Sequence, residues 1–595
     1  MQTAQAVVRQ ERVGVVAVLV LANPPVNALS GAVRAGLSAG LAAALADPAV
    51  RAIVIRGEGR GFCAGADIGE FGALRQGPRL ADLCDAIENA GKPVVAAVHG
   101  MALGGGLELA LAAHYRVAQD AAVLGLPEVN LGIVPGAGGT QRLPRLIGAS
   151  AALRMMLTGV PVKAAEAVEL GLVDRIVGAG VVEAALALAA ETPPPRPTSA
   201  MRRGLQDGRA YLAQVAEARV AQVGNRLPAP GRIVDLVEAA LLFPLVQGLA
   251  AEAAAFGELV ATPEAAGLRH AFFVERRALQ LPVAVQGAGV PALAALGIWG
   301  LGSGAVDLCC QALTSGLRVV LASTDRPGLV AALDGVAAWQ NAAVAAGRMS
   351  EAARDADWAR LVSAAGSEGL SGCDLILQTA EAATLAAGAI PVARIGAAGP
   401  GAEAAITVAT AGAGGLAELG LTRAARPEVV GLVVALARRL NWRLVPVGPG
   451  GPVEWGLRQA LAGAMLHLGH EGIAEGEAAA ALAIWALPRG AGGIAPTLTA
   501  TDRRVVDMAL AAMAAEGLRM VEDGRVRRPL EVDAVAMVAG LVPRWEGGPM
   551  FQADRRGLLL LRRDLIDLAE GAPLFLPPAL IDRLIADGKP LASLN

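Results

Sequence analysis

From Val13 to roughly Ala190, short runs of β-branched residues alternate with amphipathic stretches at helical spacing. Strands that repeatedly hand over to helices restrict this region to an α/β layer fold. VGVVAVLVLA, AIVIRG and KPVVAAVHG read as its strands. The last leads into HGMALGGGLELALAAHYRVA, where a strand ending near Gly100 is followed by Gly104, Gly105 and Gly106 and a periodic helix opening at Leu107.

One such layer accounts for only part of the 595 residues, a length that predicts three to five domains. ETPPPRPTSA closes the first region, because Pro193 to Pro197 cannot sit inside a helix. Ser199 to Arg277 has helical periodicity, with a second break at Pro228 to Pro230. ALGIWGLGSG, a helix and then RVVLAS follow in the order of a first βαβ unit of a nucleotide-binding domain. Beyond Ala425 the pattern is largely helical, and a Pro/Gly-rich stretch from Pro488 to Pro496 precedes a last helical segment ending at Asn595.

Hydrophobic residues make up 54% of the chain, but the excess is largely Ala, Leu, Val and Gly, so the composition is compatible with a soluble protein. The uncharged stretch Ala278 to Val306 is longer than the roughly 20 residues of a spanning helix. Gln280, Pro282, Gln286 and Pro291 turn the reading to a buried strand flanked by loops, with no membrane insertion. A net charge of -3 offers no basic face for nucleic acid, and the N-terminus has no signal-peptide pattern, so a cytoplasmic protein is expected. Cys63, Cys84, Cys309, Cys310 and Cys373 lack ligand or disulfide-framework spacing and read as reduced, buried residues, with no metal site.

Glycines at a strand-to-helix junction let a ligand approach the backbone, and the first N–H groups of the helix lie unpaired at its positive end. A developing oxyanion, such as a polarised thioester carbonyl, could be held there. The alternative is a glycine-rich turn for close helix packing. GRGFCAGADIGEF supplies a second small-residue turn at Ala64, Gly65 and Ala66, a source of another N–H. Glu108 in the first helical turn and Glu128 in LGLPEVNLG are carboxylates in apolar surroundings, which raise carboxyl pKa values and can divide acid and base roles. Taken singly, Glu108 also fits a charge favourable to the helix dipole, and Glu128 a surface turn.

Together these features resemble the crotonase (enoyl-CoA hydratase/isomerase) superfamily, and within it the multifunctional β-oxidation enzymes that join such a domain to a 3-hydroxyacyl-CoA dehydrogenase. The resemblance rests on NPPVNALS (Asn23 to Ser30), FCAGADI (Phe62 to Ile68), KPVVAAVHGMALGGGLELALAAHYRVA (Lys92 to Ala118) and LGLPEVNLGIVPGAGGTQRLPRLIG (Leu124 to Gly148). RHAFFVERRA (Arg269 to Ala278) and PRWEGGPMFQAD (Pro543 to Asp554) extend it over nearly the whole chain. It implies a crotonase-type spiral α/β domain over residues 1–190, a helical linker over 191–282 and a Rossmann-like α/β domain over 283–424. Two all-helical C-terminal domains would follow, over 425–490 and 491–595.

The resemblance also implies that Ala66 and Gly105 supply two oxyanion-hole N–H groups, with Ala64, Gly65, Gly104 and Gly106 binding substrate around them. Glu108 and Glu128 would hold a water. Glu128 would exchange the proton at C2, and Glu108 would help activate the water that adds at C3. Hydration of a trans-2-enoyl-CoA is the expected reaction, with isomerisation as a side activity. The CoA is part of the substrate, and no cofactor is required.

The second half departs from the dehydrogenase pattern. Its opening residues Gly300, Gly302 and Ala305 form a GxGxxA, a weak signal for NAD taken alone. Ser323 stands where an acid would hold the ribose, with Asp325 two residues on as a substitute. In ITVATAGAGGLAELG, Thr407 occupies the position of the family's general acid/base histidine, and threonine exchanges no proton near neutral pH. Gln378 replaces an acid after GCDLILQ, and Trp455 and Gly456 fall where an asparagine and an arginine are expected. This half is therefore expected to have lost oxidoreductase chemistry, with Gly300, Gly302 and Ala305 left as a degenerate NAD site that lacks its usual adenosine anchor.

His467 and His470, at i and i+3, lack a third metal ligand; His99 and His114 read as packing or hydrogen-bonding residues; Arg60 reads as a surface arginine. The alternatives to a monofunctional hydratase are a bifunctional hydratase/dehydrogenase and a non-catalytic acyl-CoA-binding or assembly subunit. The resemblance further implies a monomer with a thiolase as partner.

Overall fold

The computed structural model describes residues 6–71, 77–278, 280, 292–302, 304–379, 382, 385, 392–395, 404–408, 415–421, 425–448, 452–487, 497–570 and 572–595. They form two compact units, one within residues 1–269 and one within 270–486 and 498–595. The Pro488 to Pro496 stretch and most of the uncharged segment before Leu293 lie outside the described residues.

The first unit is built on strands β1 (Val8–Val13), β2 (Val16–Leu21), β3 (Ala52–Gly57), β4 (Val94–Val98), β5 (Met101–Leu103), β6 (Tyr115–Gln119), β7 (Val123–Gly125), β8 (Val162–Lys163) and β9 (Arg175–Val177). Its main sheet has the order β1-β2-β3-β4-β6-β9, parallel except for the β1–β2 pair. The helices are α1 (Gly31–Ala46), α2 (Leu80–Glu88), α3 (Gly105–Ala112), α4 (Gly139–Thr158), α5 (Ala164–Leu170) and α6 (Val181–Ala190). All six residues of β2 are buried, as expected of an interior strand covered on both faces. Val181, Ala185 and Ala189 of α6 close one face over Val18, Val54, Val95 and Val117.

The glycine junction differs from its sequence reading. β4 stops at Val98, and β5 then enters a separate three-stranded sheet of order β5-β7-β8. α3 opens at Gly105, two residues before Leu107. A three-residue strand is too short to show a period in sequence.

Residues after 190 continue the first unit and do not form a separate linker domain. α7 (Gly208–Gln222), α8 (Pro228–Leu242), α9 (Leu245–Val260) and α10 (Pro263–Ala278) follow, and the division between the units falls within α10, short of the expected boundary at 282. Pro228 and Pro230 occupy the first turn of α8, where the N–H that proline lacks has no helical partner anyway. The break itself spans 223–227. α8 packs on α4 and buries Ile233, Val234, Leu236, Val237 and Ala240.

In the second unit, eight strands form one sheet: β10 (Ala295–Trp299), β11 (Arg318–Ala322), β12 (Leu361–Ala364), β13 (Leu375–Gln378), β14 (Val392–Ile395), β15 (Ala404–Val408), β16 (Leu416–Leu421) and β17 (Arg443–Val447). Their spatial order is β12-β11-β10-β13-β14-β15-β16-β17, with only β15–β16 antiparallel. The first four strands give the doubly wound order with its switch point between β10 and β13. α11 (Ala305–Thr314), α12 (Arg326–Ala345), α13 (Glu351–Trp358) and α14 (Pro427–Arg439) accompany the sheet. α14 and β17 carry the α/β region past the expected boundary at 424. A short apolar run such as RLVPV cannot be told by its pattern from the core face of a helix. From Val453 the described residues are helical, led by α15 (Val453–His470) and, after it, the long Ala500–Glu522 helix, around a core that includes Met513, Leu518, Val535 and Phe575. Among the described residues no helix is long and apolar enough to cross a membrane, and all five cysteines are buried and unpaired.

A fragment ending at residue 190 uncovers the apolar face of α4, whereas one ending at 278 keeps it covered. The longer fragment should unfold cooperatively in urea with a near-UV circular dichroism signal. The shorter one should lack that signal and bind a hydrophobic dye.

Candidate active site

The site begins with two loops pressed together. Asn27 is buried at φ +55, and its side-chain amide donates to Glu58 O and Gly61 O, both at 2.9 Å. Ala64 N–H donates to Val26 O and Leu29 N–H to Gly65 O, so the Cys63–Ala66 turn is held from both sides. Against it lies Gly104, the N-cap of α3, whose φ of +52 and ψ of -129 suit only glycine. A Cβ on Gly105 would stand 3.2 Å from the Ala66 nitrogen, and one on Gly106 2.4 Å from Cys63 O. The glycines therefore do both things the sequence left open. Gly106 permits close packing, while Ala66 and Gly105 come side by side, and neither gives its N–H to a backbone carbonyl among the described residues.

Glu108, in the first turn of α3, and Glu128, opening the short 3-10 turn Glu128–Leu131, are both buried. That excludes a surface turn for Glu128. A Cβ on Gly104 would lie 3.1 Å from Glu128 Oε1, and one on Gly139 would lie 3.0 Å from Glu108 Oε1, so both carboxylates face glycine backbone. Glu108 Oε1 accepts the N–H groups of Ala137 (2.7 Å) and Gly139 (2.9 Å). Glu128 Oε2 is buried with no partner among the described residues. Burial raises the pKa of Glu108, opposed by those two N–H groups and by the Arg142 guanidinium. Burial raises Glu128 well above the usual carboxylate range, and the charges of Glu108 and Glu252 add to it. Burial thus raises both carboxyls, and Glu108, with two backbone N–H groups and the Arg142 guanidinium beside it, is the better placed of the two to carry a charge.

Two residues that sequence reasoning missed complete this layer. Arg142, fully buried, pairs with Glu88 and Asp85 of α2 and donates to Ala137 O at 2.9 Å. Glu252, on α9, is buried and accepts the N–H groups of Gly138 and Thr140. α9 meets the same loop through Phe256, whose ring would touch a Cβ on Gly136. The signal for Glu252 was present: on α9 the buried residues are Gly248, Glu252, Ala255 and Leu259, so a charged residue lies on the apolar stripe. His114 Nδ1 accepts Val94 N–H and its Nε2 meets Glu88 O, while His99 meets Gly59 O. Arg60 is exposed.

In the second unit, Gly300, Gly302 and Ala305 follow β10 and lead into α11. Trp299, Gly300, Leu301, Ser323, Thr324, Asp325 and Ala382 line an open cavity of about 310 Å³. Asp325 caps α12, accepting Gly328 N–H at 3.1 Å, while Ser323 accepts the N–H of Asp325. Gln378 ends β13, and Trp455 and Gly456 lie in the first turn of α15. Thr407 is opposite Glu418 in the antiparallel β15–β16 register. Glu418, also unforeseen, is buried, accepts the N–H groups of Val453 and Glu454, and is pushed up to about 7 by burial. His467 lies against the Phe575 ring and 3.6 Å from Glu471.

The family description "Enoyl-CoA hydratase/isomerase" matches residues 11–208. A probable enoyl-CoA hydratase of Bacillus subtilis (strain 168) is 50% identical over 187 residues, covering 30% of this chain and 72% of that protein. The peroxisomal bifunctional enzyme of Danio rerio is 46% identical over 268 residues, or 44% of this chain and 37% of that protein. The glyoxysomal fatty acid beta-oxidation multifunctional protein MFP-a of Brassica napus is 36% identical over 357 residues, 56% and 49% of the two chains. The match thus spans less than half the length of these multifunctional relatives.

A carboxyl whose folded pKa is raised above its unfolded value, about 4.3 for glutamate, destabilises the fold progressively as pH rises toward the folded pKa. Glu128→Gln should therefore raise the melting temperature at pH 8, by about 2–4 °C for each kcal/mol relieved. The gain should vanish near pH 4, where both states hold the proton; calorimetry at the two pH values decides.

Proposed function

Because the chain belongs to the enoyl-CoA hydratase/isomerase family, we propose that its first unit hydrates trans-2-enoyl-CoA to 3-hydroxyacyl-CoA in fatty-acid β-oxidation, with enoyl-CoA isomerisation as a side activity. The observation that carries this reading is the unpartnered, buried Oε2 of Glu128 in a site whose other carboxyl, Glu108, accepts two backbone N–H groups.

The thioester oxygen would accept the N–H groups of Ala66 and Gly105, which stabilise the negative charge that grows there as the double bond is attacked. Ala64, Gly65 and Gly104 would let the acyl group lie against the backbone. Glu108, ionised, would take a proton from water as the water oxygen bonds to C3. Glu128, protonated, would deliver its proton to C2, so the product gains one water across the double bond and the pair retains its single proton. Mere binding of an acyl-CoA has no need of two buried carboxyls, which favours catalysis over a holding role.

The second unit is proposed to be inactive as a dehydrogenase and to bind no NAD. Thr407 cannot act as an acid or base, Ser323 offers no carboxylate to a ribose, and Asp325 is engaged as a helix cap. A monomeric state, a thiolase partner and residence in the cytoplasm belong to the same proposal, although several relatives carry peroxisomal or glyoxysomal names.

The test follows the enoyl-thioester absorbance of short- and medium-chain trans-2-enoyl-CoA. Wild type should consume it, Glu128→Gln should slow kcat by about 100- to 10,000-fold, and later addition of NAD should yield no NADH. Absence of turnover with retained ester binding would favour a holding role; NADH formation would restore the dehydrogenase.

A further inference from the structure

Glu252 is 112 residues from the loop it holds and belongs to none of the features the proposed hydration uses. Its contacts interleave with those of Glu108. Along Ala137, Gly138, Gly139 and Thr140, the first and third N–H groups go to Glu108 and the second and fourth to Glu252. Thr140 Oγ1 also donates to Glu252, and accepts in turn from Gln141 Nε2 at 3.0 Å. Gly138 stands at φ +100, which suits glycine, and a Cβ there would strike the Arg142 guanidinium. Loss of the Glu252 contacts would leave the loop free to turn its N–H groups away from Glu108.

We propose that Glu252 is a positioning residue for the carboxylate pair, acting from α9 through the Ala137–Thr140 loop to fix Glu108 and to set where Glu108 and Glu128 titrate. This rests on the hydratase reading given above. The charged groups around Glu252 are Glu108 from α3, Glu128 from the turn after β7 and, across the loop, Arg142 of α4, whose guanidinium is held by Glu88 and Asp85 of α2. Its own pKa is pushed up to about 8, by burial first and by Glu108 second. Three carboxyls therefore share the protons of one buried cluster. Removing one negative charge lowers the pKa of the other two.

The test compares wild type with Glu252→Gln in the full chain, with Thr140→Val as a milder variant that removes the hydroxyl donated to Glu252 and, with it, the acceptor of Gln141 Nε2. Glu252→Gln keeps the shape but replaces one acceptor oxygen by a donor. It should reduce kcat by about 10- to 100-fold through misplacement of Glu108, leave KM within about threefold, and move the alkaline limb of the pH–rate profile to lower pH. Thr140→Val should move both quantities in the same direction by less. Activity that falls only in proportion to folded protein, with the limb unmoved, would overturn the proposal, as would wild-type kinetics in both variants. If wild type shows no hydration, the functional reading fails by itself. Infrared titration of the protonated carboxyl band, with Glu128→Gln to assign it, then decides for Glu252: a lower midpoint in Glu252→Gln supports it and an unchanged one refutes it.

Discussion

Ala137, Gly138, Gly139 and Thr140 direct four consecutive backbone N–H groups alternately at Glu108 and Glu252, two carboxylates buried in the same place. A buried carboxylate is tolerated only where its oxygens find donors, and like charges this close oppose each other's ionisation. Much else in the first unit serves that arrangement. Gly136, Gly138 and Gly139 keep side chains out of the loop, Arg142 brings a paired guanidinium to its far side, and α9 is seated on it by Phe256 and Gly248. Glu128 Oε2 finds no such donor among the described residues, and burial with the charges of Glu108 and Glu252 pushes that carboxyl well up.

How far this could be read from sequence depends on where the decisive contacts lie along the chain. The parallel strands β2, β3 and β4 were legible as β-branched runs, and the Gly104–Glu108 junction as a change from strand to helix around three glycines. Glu108 and Glu128 were legible as carboxylates in apolar company. Glu252 was not, since a lone glutamate in LAAEAAAF reads as a solvated helix face until its place on the buried stripe is counted. The extent of the first unit was hidden for a related reason: α8 looks like any amphipathic helix, and only its burial on α4 makes it part of the same core. Short elements such as β5 and β17 gave too few residues for a period to emerge.

The second unit is a doubly wound sheet whose dehydrogenase chemistry is proposed to be lost. β10, β11 and β13 retain the register and burial of the fold, and the cavity at their carboxyl ends is still open. Thr407 is paired with Glu418 in the β15–β16 backbone register, and the Glu418 carboxylate accepts N–H groups at the start of α15. Removal of this buried acid would strand two N–H groups.

The Ala66 and Gly105 N–H groups and the Glu108–Glu128 pair are proposed to address one bound thioester. A crystal structure of the Glu128→Gln protein soaked with a trans-2-enoyl-CoA tests it most directly. The account predicts the thioester oxygen at about 3 Å from both nitrogens, with C2 beside residue 128 and C3 on the Glu108 side. A thioester carbonyl bound away from those two nitrogens, or an acyl chain whose C2–C3 bond lies out of reach of either carboxylate position, would contradict it.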